Sequence, residues 1–161
     1  MDRRGILGRA GLAAAALLLS LSAPAMAQFS DSYNFLKAIR DRDGAKVSEF
    51  IEGPSGGTLI NTKDYSAGEG ALHIIAKRHD DLWLRYLLAK GANPNIRDKN
   101  GNTPLILCAQ IGFLEGIDAL IGNRADVNLA NDNGETPLII AVQRRDMAST
   151  RMLLAAGANT K

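Results

Sequence analysis

The chain has few of the residues on which disulfide, metal and catalytic sites depend. Its 161 residues include one cysteine, Cys108, which excludes an internal disulfide and a zinc site built on paired cysteines. The two histidines, His73 and His79, are six residues apart, whereas two ligands share one helical face at a spacing of four. The phosphate-binding loop G-x-x-x-x-G-K-[ST] is absent. The sequence therefore predicts no enzyme, metal site or cofactor.

An excess of one charge is also absent. Of the 19 basic and 17 acidic side chains, three arginines and one aspartate lie in residues 1–27, which leaves 16 of each sign in residues 28–161. A neutral segment has no electrostatic attraction for nucleic acid or anionic lipid, so neither is expected as a partner. Aromatic residues make up only 5% of the chain, so alanine and leucine are expected to dominate a helical core.

Residues 1–27 are typical of a secretory signal peptide. Three arginines precede an apolar run at residues 10–21, and residues 25–27, Ala-Met-Ala, have the small side chains of a signal-peptidase site. The run of 12 residues is shorter than the roughly 20 needed to span a bilayer. We expect cleavage after Ala27, a periplasmic or secreted location and no membrane span afterwards. An uncleaved anchor is the alternative.

The export route stays open. Residues 3–7, Arg-Arg-Gly-Ile-Leu, resemble the twin-arginine export motif, but paired arginines also occur in ordinary signals. No cysteine lies near the cleavage site, so lipid attachment there is excluded.

The rest of the chain repeats with a period of 33 residues. Thr103-Pro104-Leu105 recurs as Thr136-Pro137-Leu138, and Asn100-Gly101 recurs as Asn133-Gly134. In the first copy Phe50-Ile51 matches Leu87-Leu88 at an offset of 37, so about four residues are inserted, within a glycine-rich stretch expected to be a flexible loop. The predicted repeats are about 28–61, 62–98, 99–131 and 132–161.

Each copy is predicted to form two short helices and a loop. Thr103 can cap a first helix, and Pro104 suits its first position. Leu105, Cys108 and Ala109 then share one face, so Cys108 is expected to be buried. A helix pair of this size cannot bury its apolar face alone, so neighbouring pairs must stack.

These residues resemble the ankyrin repeat, whose pattern is D-x-x-G-x-T-P-L-H-x-A-A followed by a second helix ending in L-L and G-A. Residues 98–105 fit the pattern closely, and the resemblance extends over about residues 28–161. It implies an all-α ankyrin-repeat solenoid of about four helix-turn-helix repeats with hairpin loops. With the signal peptide, it implies a secreted bacterial member of the family.

Several positions depart from the pattern. Its histidine survives only as His73, and we expect Ile106 and Ile139 to replace the histidine's hydrogen bonds by packing. Trp83 and Gly116 are equivalent positions, so we expect the indole to fill the space at Gly116. Alternatively, the indole covers only its own helix pair.

Glycine is missing where left-handed backbone is expected. The glycine after the first helix is kept only at Gly112, and Arg42, His79 and Arg145 hold the equivalent places. Arg124 stands where Gly91 and Gly157 end their helices, so the third repeat is expected to end differently.

The last repeat is predicted to carry a polar outer face, which would make it a C-terminal cap and four repeats the complete array. The residues expected to form this face are Arg144, Arg145, Asp146, Ser149, Thr150 and Arg151.

The resemblance also implies where a partner protein binds: at the hairpin tips and the first-helix face, which line the concave side. The corresponding tip residues are Tyr65, Glu69, Arg97, Lys99, Asn102, Asp132 and Glu135. The corresponding helix residues are Lys77, Arg78, Gln110, Ile111, Gln143 and Arg144. Tyr65 and Ile111 are expected to be the anchors, because one is aromatic and the other is apolar at an exposed position.

The predicted function is a non-enzymatic protein-binding module in the periplasm, without a cofactor. The alternative is an accessory or protective factor for a periplasmic enzyme, with a thiol or metal role for Cys108 and His79. A small enzyme is a third reading.

Overall fold

The structure, a computed structural model, describes residues 23–160. The arginine pair and the apolar run of the predicted signal peptide lie outside these residues. Within residues 23–160 the chain is helical, and its only strand-like feature is one isolated antiparallel bridge between Lys63 and Gly70. The predicted all-α fold class is confirmed.

Four helix pairs follow one another along the chain. The first helices of the pairs are α1 (Ala23–Asp41), α4 (Ala71–Lys77), α6 (Pro104–Ile111) and α8 (Pro137–Gln143). The second helices are α2 (Gly44–Glu52), α5 (Asp81–Ala89), α7 (Leu114–Gly122) and α9 (Met147–Ala155). A short helix, α3 (Gly56–Leu59), lies between the first two pairs. Since α6 packs between α4 and α8, and α7 packs between α5 and α9, the pairs stack side by side.

The stack buries one main apolar core, beside a small second cluster of Ile106, Ala109 and Ile140. Its largest fully buried side chains come from every pair and include Ile39, Leu84, Leu105, Ile117 and Leu153. Each first helix contributes to this core together with its own second helix and its neighbours, which is why no pair could be stable alone.

Helix α1 is longer than the other first helices. It has 19 residues, against 7 or 8 in α4, α6 and α8. Pro24 lies in its first turn. The N–H groups of a first turn have no acceptor within the helix, so proline, which lacks this group, loses no hydrogen bond there. Residues 23–27, the end of the predicted signal peptide, therefore belong to α1 in the uncleaved chain.

Side-chain caps start the helices where the sequence predicts. The hydroxyls of Thr103 and Thr136 accept hydrogen bonds from the N–H groups of Ile106 at 3.2 Å and Ile139 at 3.3 Å. Three second helices are capped by carboxylates that accept from a backbone N–H of the first turn, those of Asp43, Asp80 and Asp146. Because a cap is worth about 1 kcal/mol, the local sequence fixes these helix starts.

Within residues 23–160, four non-glycine residues adopt left-handed backbone. Arg42, His79 and Arg145 have φ values of 59°, 55° and 58°, close to the 72° of Gly112. Arg124 has a φ of 66°. The third repeat nevertheless ends with the same two backbone hydrogen bonds as the second. The expectation that its ending differs is therefore wrong.

His73 is buried, and its ring joins two repeats. Nδ1 accepts a hydrogen bond from the Gly70 N–H at 3.1 Å, and Nε2 donates to the Asn102 carbonyl at 2.9 Å. Ile106, at the equivalent position, is fully buried in a cluster with Ile140, so packing replaces hydrogen bonding as expected. At Ile139 the expectation is wrong, because this side chain is 42% exposed.

The predicted pairing of Trp83 with Gly116 is also wrong. The indole lies over Gly44 of the preceding repeat, where an added Cβ would be 3.2 Å from the ring. The space at Gly116 is filled from its own repeat, since a Cβ there would lie 2.4 Å from the Phe113 ring and 2.8 Å from Cys108 Sγ. The indole points toward the preceding repeat rather than the following one.

The inserted residues 53–57 do not form the free loop that was expected. Gly56 is buried, and an added Cβ there would lie 1.9 Å from the Ile51 carbonyl oxygen. Gly56 thus packs closely on α2, while Pro54, Ser55 and Gly57 are exposed. Leu59 and Ile60, which follow the insertion, are in the core with 3% exposure each.

The polar outer face predicted for the last repeat is only partly exposed. Arg144, Arg145 and Arg151 are exposed, Asp146 and Thr150 are half-buried, and Ser149 is fully buried, with its hydroxyl bonded to Asp146. The last repeat also exposes the apolar side chains of Ile139, Val142 and Leu154, at 42%, 56% and 44%.

Candidate functional site

Three loops between the helix pairs share one design. In the second loop the Asp98 carboxylate accepts hydrogen bonds from the N–H groups of Asn100 and Asn102, both at 2.8 Å. Asp64 and Asn131 bind backbone N–H groups in the same way in the other two loops. The side chain after each of these residues stands at the loop tip, and these tip residues are Tyr65, Lys99 and Asp132.

The loops are also bonded to one another. The Lys99 N–H donates to the Ala67 carbonyl at 2.9 Å, and the Asp132 N–H donates to the Asn100 carbonyl at 3.0 Å. Asparagine side chains make a second set of hydrogen bonds between the loops. The amide oxygen of Asn95, for example, accepts a hydrogen bond from the Asp126 N–H at 2.8 Å. The tips therefore form one connected edge with a fixed spacing.

Most predicted site residues lie where this edge meets the first helices. The exposed ones are Tyr65, Lys77, Lys99, Asp132, Gln143 and Arg144. The half-buried ones are Glu69, Arg78, Arg97, Gln110, Ile111 and Glu135.

Asn102 and Ile111 lack the accessible side chains that the prediction assumed. Asn102 is 9% exposed, and its amide is bonded to Asp98 and to Asn131, each at 3.1 Å. Ile111 is half-buried and packs against the core. Asn102 thus joins neighbouring loops, and Ile111 offers less apolar surface than was expected. That they contact a partner stays a prediction.

The centre of the surface is occupied by internal pairs. Lys77 forms an ion pair with Glu69, and Arg78 donates to the Ile39 carbonyl of the preceding repeat. Burial lowers the pKa of the Arg78 guanidinium. Arg97 donates to the Ala130 carbonyl of the next repeat at 2.9 Å. Arg78 and Arg97 thus join neighbouring repeats, whereas Lys77 pairs within its own repeat. All three cations have less hydrogen-bonding capacity left for a partner.

An open concavity lies at the first loop, and we call it the N-terminal groove. It has a volume of about 770 Å³ between α1 and the first two loop tips. Its two aromatic side chains are largely exposed, Tyr33 at 64% and Tyr65 at 96%. The lining residues are Ser32, Tyr33, Leu36, Arg40, Lys63, Asp64, Tyr65, Gly68 and Lys99.

The groove carries a net positive charge. Its cations are Arg40, Lys63 and Lys99, and its one carboxylate, Asp64, is bonded to Arg40 and to two backbone N–H groups. Burial opposes ionisation of Asp64, but the Ala67 N–H and the Arg40 charge outweigh it and lower its pKa. The Lys99 ammonium lies 5.2 Å from the centre of the Tyr65 ring. The groove thus offers two aromatic rings beside an excess of cationic groups.

The sequence analysis identified Tyr65 and Lys99 but missed the other groove residues. Arg40 precedes Lys77 by 37 residues, which is the offset that aligns Phe50 with Leu87. Extending the helix positions of the predicted site to the first repeat would therefore have identified Arg40. Tyr33 had no such signal. In the other repeats the first helix begins next to the equivalent position, whereas α1 begins ten residues before Tyr33, at Ala23.

The candidate chemical groups are placed unfavourably for reaction. Cys108 is fully buried, and burial raises the pKa of its thiol to about 12, whereas a reactive thiol needs exposure and a low pKa. The His79 ring packs beside Phe113, with 5.0 Å between ring centres. Among residues 23–160 no group of three or more His, Cys, Asp or Glu side chains is arranged to hold a metal ion.

One serine motif escaped the sequence analysis. Residues 53–57, Gly-Pro-Ser-Gly-Gly, have the G-x-S-x-G spacing of a nucleophile elbow. That elbow places its serine between a strand and a helix, whereas Ser55 is an exposed residue between α2 and the four-residue α3. The spacing here belongs to the packed insertion.

Known proteins with similar sequences share this repeat. A family model for ankyrin repeats, three copies, matches residues 35–131 and again residues 72–161. The chain is 33% identical over 86 residues to the human 2-5A-dependent ribonuclease. The matched segment is 53% of this chain and 11% of that protein. The chain is 32% identical over 79 residues to oxysterol-binding protein homolog 1 of Saccharomyces cerevisiae, covering 48% of this chain and 7% of that one.

A third relative is an ankyrin repeat protein of Acanthamoeba polyphaga mimivirus, 39% identical over 62 residues, which covers 38% of this chain and 8% of the relative. The chain thus spans about a tenth or less of the length of these relatives. In residues 23–160 every helix is too short or too polar to cross a membrane.

Proposed function

Because the chain belongs to the ankyrin-repeat family, a family of protein–protein interaction modules, we propose that it is a non-enzymatic module that binds a partner protein through its first-helix face and loop tips. The observation that carries this proposal is the N-terminal groove, in which Tyr33 and Tyr65 are exposed beside Lys63 and Lys99. Each of these ammonium groups donates to one backbone carbonyl and keeps further N–H donors, since an ammonium has three. Tyrosine is enriched at the centres of protein interfaces, where its ring contributes apolar contact and its hydroxyl hydrogen-bonds.

The partner that fits the groove is an extended segment with carboxylate side chains next to an apolar residue. Carboxylates complement Lys63 and Lys99, and the apolar residue packs between the two tyrosine rings. The Asp64 carboxylate is already bonded internally, so it does not compete for these cations. The other exposed tip, Asp132, carries the opposite charge and contributes to selectivity.

Site-specific photo-crosslinking in intact cells tests the groove. A photoreactive residue at position 65 is expected to crosslink one protein specifically, and Tyr33→Ala in that chain is expected to reduce the yield at least about tenfold. The control places the photoreactive residue at position 82, since Leu82 is also exposed, at 79%, but lies on the second helix α5. Equal crosslinking from positions 65 and 82 contradicts the proposed site.

Charge reversal tests the chemistry of the partner. Lys63→Glu combined with Lys99→Glu is expected to abolish capture, whereas Lys90→Glu, on the second-helix side, is expected to leave it unchanged. Capture by the wild-type chain should also weaken as salt is raised, because the attraction is partly electrostatic. Capture that survives both changes would show that the partner is not acidic.

We also propose that the chain acts in the periplasm after removal of residues 1–27. The support is the three-part signal pattern in the sequence. N-terminal sequencing of the protein recovered from a periplasmic fraction is expected to begin at Gln28. Replacing Arg3 and Arg4 by lysine decides the route, since loss of export indicates the twin-arginine pathway and continued export the general one.

A further inference from the structure

A second concavity adjoins the N-terminal groove, and we call it the polar pocket. It has a volume of about 220 Å³ and lies between the second and third loops. Lys99 lines the groove and the next residue, Asn100, lines the pocket, so the two concavities meet at the tip of the second loop. The pocket is lined by five side-chain amides and by two carboxylates, those of Asp132 and Glu135.

A buried asparagine holds one of these carboxylates in place. The amide nitrogen of Asn131 donates to the Asn102 amide oxygen at 3.1 Å and to Glu135 Oε2 at 3.0 Å. The amide oxygen of Asn131 accepts from the N–H groups of Asn133 and Glu135, each at 3.0 Å. A carboxylate has about four acceptor positions, and the bond from Asn131 uses one of those on Glu135. The pocket therefore offers a positioned carboxylate that can still accept hydrogen bonds.

The pocket lacks the lysine that pairs with a glutamate in the second repeat, where Glu69 and Lys77 form an ion pair. Glu135 is the equivalent of Glu69, 66 residues later. The place of Lys77 is held by Gln143 in the last repeat and by Gln110 in the third, and Gln110 lines the pocket. An uncharged amide thus stands at both positions from which a lysine could have compensated Glu135.

Arg97 lies beside the pocket but does not neutralise it. Its guanidinium is 3.6 Å from the Asp132 carboxylate, too far for a hydrogen bond, and it donates to the Ala130 carbonyl instead. One guanidinium faces two carboxylates, so the pocket keeps a net negative charge. The N-terminal groove beside it is positive, which means that the charge of the tip edge changes sign at the second loop.

We propose that the polar pocket binds an arginine side chain of the same partner segment whose acidic residues enter the N-terminal groove. This inference rests on the proposed function, because it extends that segment across the second loop tip. A guanidinium has five N–H donors in a planar fork, so it can bond to a carboxylate and to amide oxygens at once, and it keeps its charge. The volume of about 220 Å³ suits one long side chain.

The stack sets the spacing between the acidic residue and the arginine. Neighbouring helices pack about 8–10 Å apart, so neighbouring loop tips are separated by about the same distance. A polyproline II segment rises about 3.1 Å per residue with about three residues per turn, so side chains three residues apart point the same way and lie about 9 Å apart. A carboxylate at Lys99 and a guanidinium at Asp132 are therefore about three residues apart in the partner.

Peptide selection tests this order of charges. The probe is a random peptide library displayed on phage and selected on the exported wild-type chain. We expect the enriched peptides to share acidic residues with an arginine about three residues away. Selected on a chain with Asp132→Asn and Glu135→Gln, the peptides should keep the acidic residues and lose the arginine. Glutamine retains an oxygen that accepts from Asn131, so this double variant should fold.

A matched control removes the same two charges elsewhere. Glu115→Gln combined with Asp118→Asn changes the net charge equally, at exposed positions of the second helix α7, and should select the same peptides as the wild type. One selected peptide is then synthesised with arginine and with citrulline, its uncharged analogue. Citrulline should weaken binding to the wild type at least about tenfold and leave binding to the pocket double variant unchanged.

The outcomes separate this inference from the proposed function. Peptides with acidic residues but no arginine overturn the arginine site and leave the N-terminal groove in place. Arginine enriched equally by the pocket double variant lies elsewhere, which overturns the inference too. Lysine enriched as often as arginine shows attraction by charge alone and contradicts a guanidinium site. Peptides without acidic residues, or no enrichment at all, contradict the proposed function and this inference with it.

Discussion

At the scale of single residues, Arg124 holds a backbone conformation that glycine adopts more easily. Its φ is 66° and its side chain is exposed, while Gly91 ends the second repeat at a φ of 91°. A side chain in this conformation costs about 1 kcal/mol. Arg124→Gly is therefore expected to raise the free energy of unfolding by about that amount and the melting temperature by roughly 3 °C.

Arg124→Ala separates the backbone from the side chain. Alanine removes the guanidinium but keeps Cβ, so the strain should persist and the stability should not rise. If Arg124→Ala stabilised the protein as much as Arg124→Gly, the gain would come from removing the arginine charge. Urea denaturation of the three proteins makes the comparison.

His73 makes the stability depend on pH. Burial is the main reason that its pKa is lowered, against the opposing hydrogen bond to the Asn102 carbonyl. Protonation would also place a proton on Nδ1, which accepts from the Gly70 N–H. Because the folded pKa lies below the unfolded value of about 6.5, the unfolded chain binds the proton first, and stability is lost as the pH falls below that value.

We expect the free energy of unfolding to decrease between about pH 7 and pH 5, and this decrease to be much smaller in His73→Gln. The carboxylates with lowered pKa, those of Asp43, Asp64 and Asp146, also destabilise the fold on protonation, but only as the pH falls below their usual value of 3.8. The His73 loss therefore begins at a higher pH than the carboxylate loss. An unchanged acid loss in His73→Gln would assign it to another group.

At the scale of helices, α6 and α7 meet closely at Gly116. A Cβ there would lie 2.4 Å from the Phe113 ring and 2.8 Å from Cys108 Sγ, and all three residues are buried. Gly116→Ala is expected to lower the free energy of unfolding by about 1–3 kcal/mol, because the two helices must separate or the ring must move. Chemical denaturation measures the loss.

Gly122, in the same helix, is the matched control. An added Cβ there meets no atom within 4 Å, and the residue is exposed. Since alanine favours helix more than glycine, Gly122→Ala should be neutral or stabilising by up to about 1 kcal/mol. A loss at both positions would mean that flexibility in α7, and not its contact with α6, is what glycine provides.

The helices could be predicted from the sequence because short segments determine them. Thr103 caps a helix through its own hydroxyl, and Asp98 shapes its loop through backbone groups two and four residues away. The 33-residue period transfers these local features from copy to copy. The left-handed residues were predictable for the same reason, since their place in the repeat fixes their backbone.

Contacts between repeats were predicted less well. The period aligns Trp83 with Gly116 but does not say toward which neighbour the indole points, and it points to Gly44. Ser149 was expected at a polar end, but it is fully buried and its hydroxyl is bonded to Asp146. Tyr33 joined the candidate site only because α1 extends beyond the repeat, and the repeat pattern contains no information about that extension.

At the scale of the whole molecule, the two ends of the stack differ in kind. The first repeat presents lysines paired with aspartates, whereas the last presents apolar side chains. Each inner repeat has two neighbours, but the last has one. In a stack of this kind stability is close to a sum of repeat terms and interface terms, so the last repeat lacks one stabilising interface.

The last repeat is therefore expected to open before its inner neighbour, the third repeat. Hydrogen exchange on a dilute, monomeric sample should show α8 and α9 exchanging faster than α6 and α7, because opening the last pair breaks one interface while opening an inner pair breaks two. Leu153→Ala, at a fully buried position in α9, should widen this difference, since losing a buried leucine costs about 2–5 kcal/mol within the last pair.

The equivalent substitution in the third repeat provides the contrast. Leu120→Ala, in α7, removes the same buried side chain from a repeat with neighbours on both sides, so it should accelerate exchange in α6 to α9 together. Exchange at equal rates in all four pairs, before and after Leu153→Ala, would show that the stack opens only as a unit. A single interface would then be strong enough to keep the last repeat folded. Its exposed apolar side chains, Ile139, Val142 and Leu154, would then lie on a stably folded repeat.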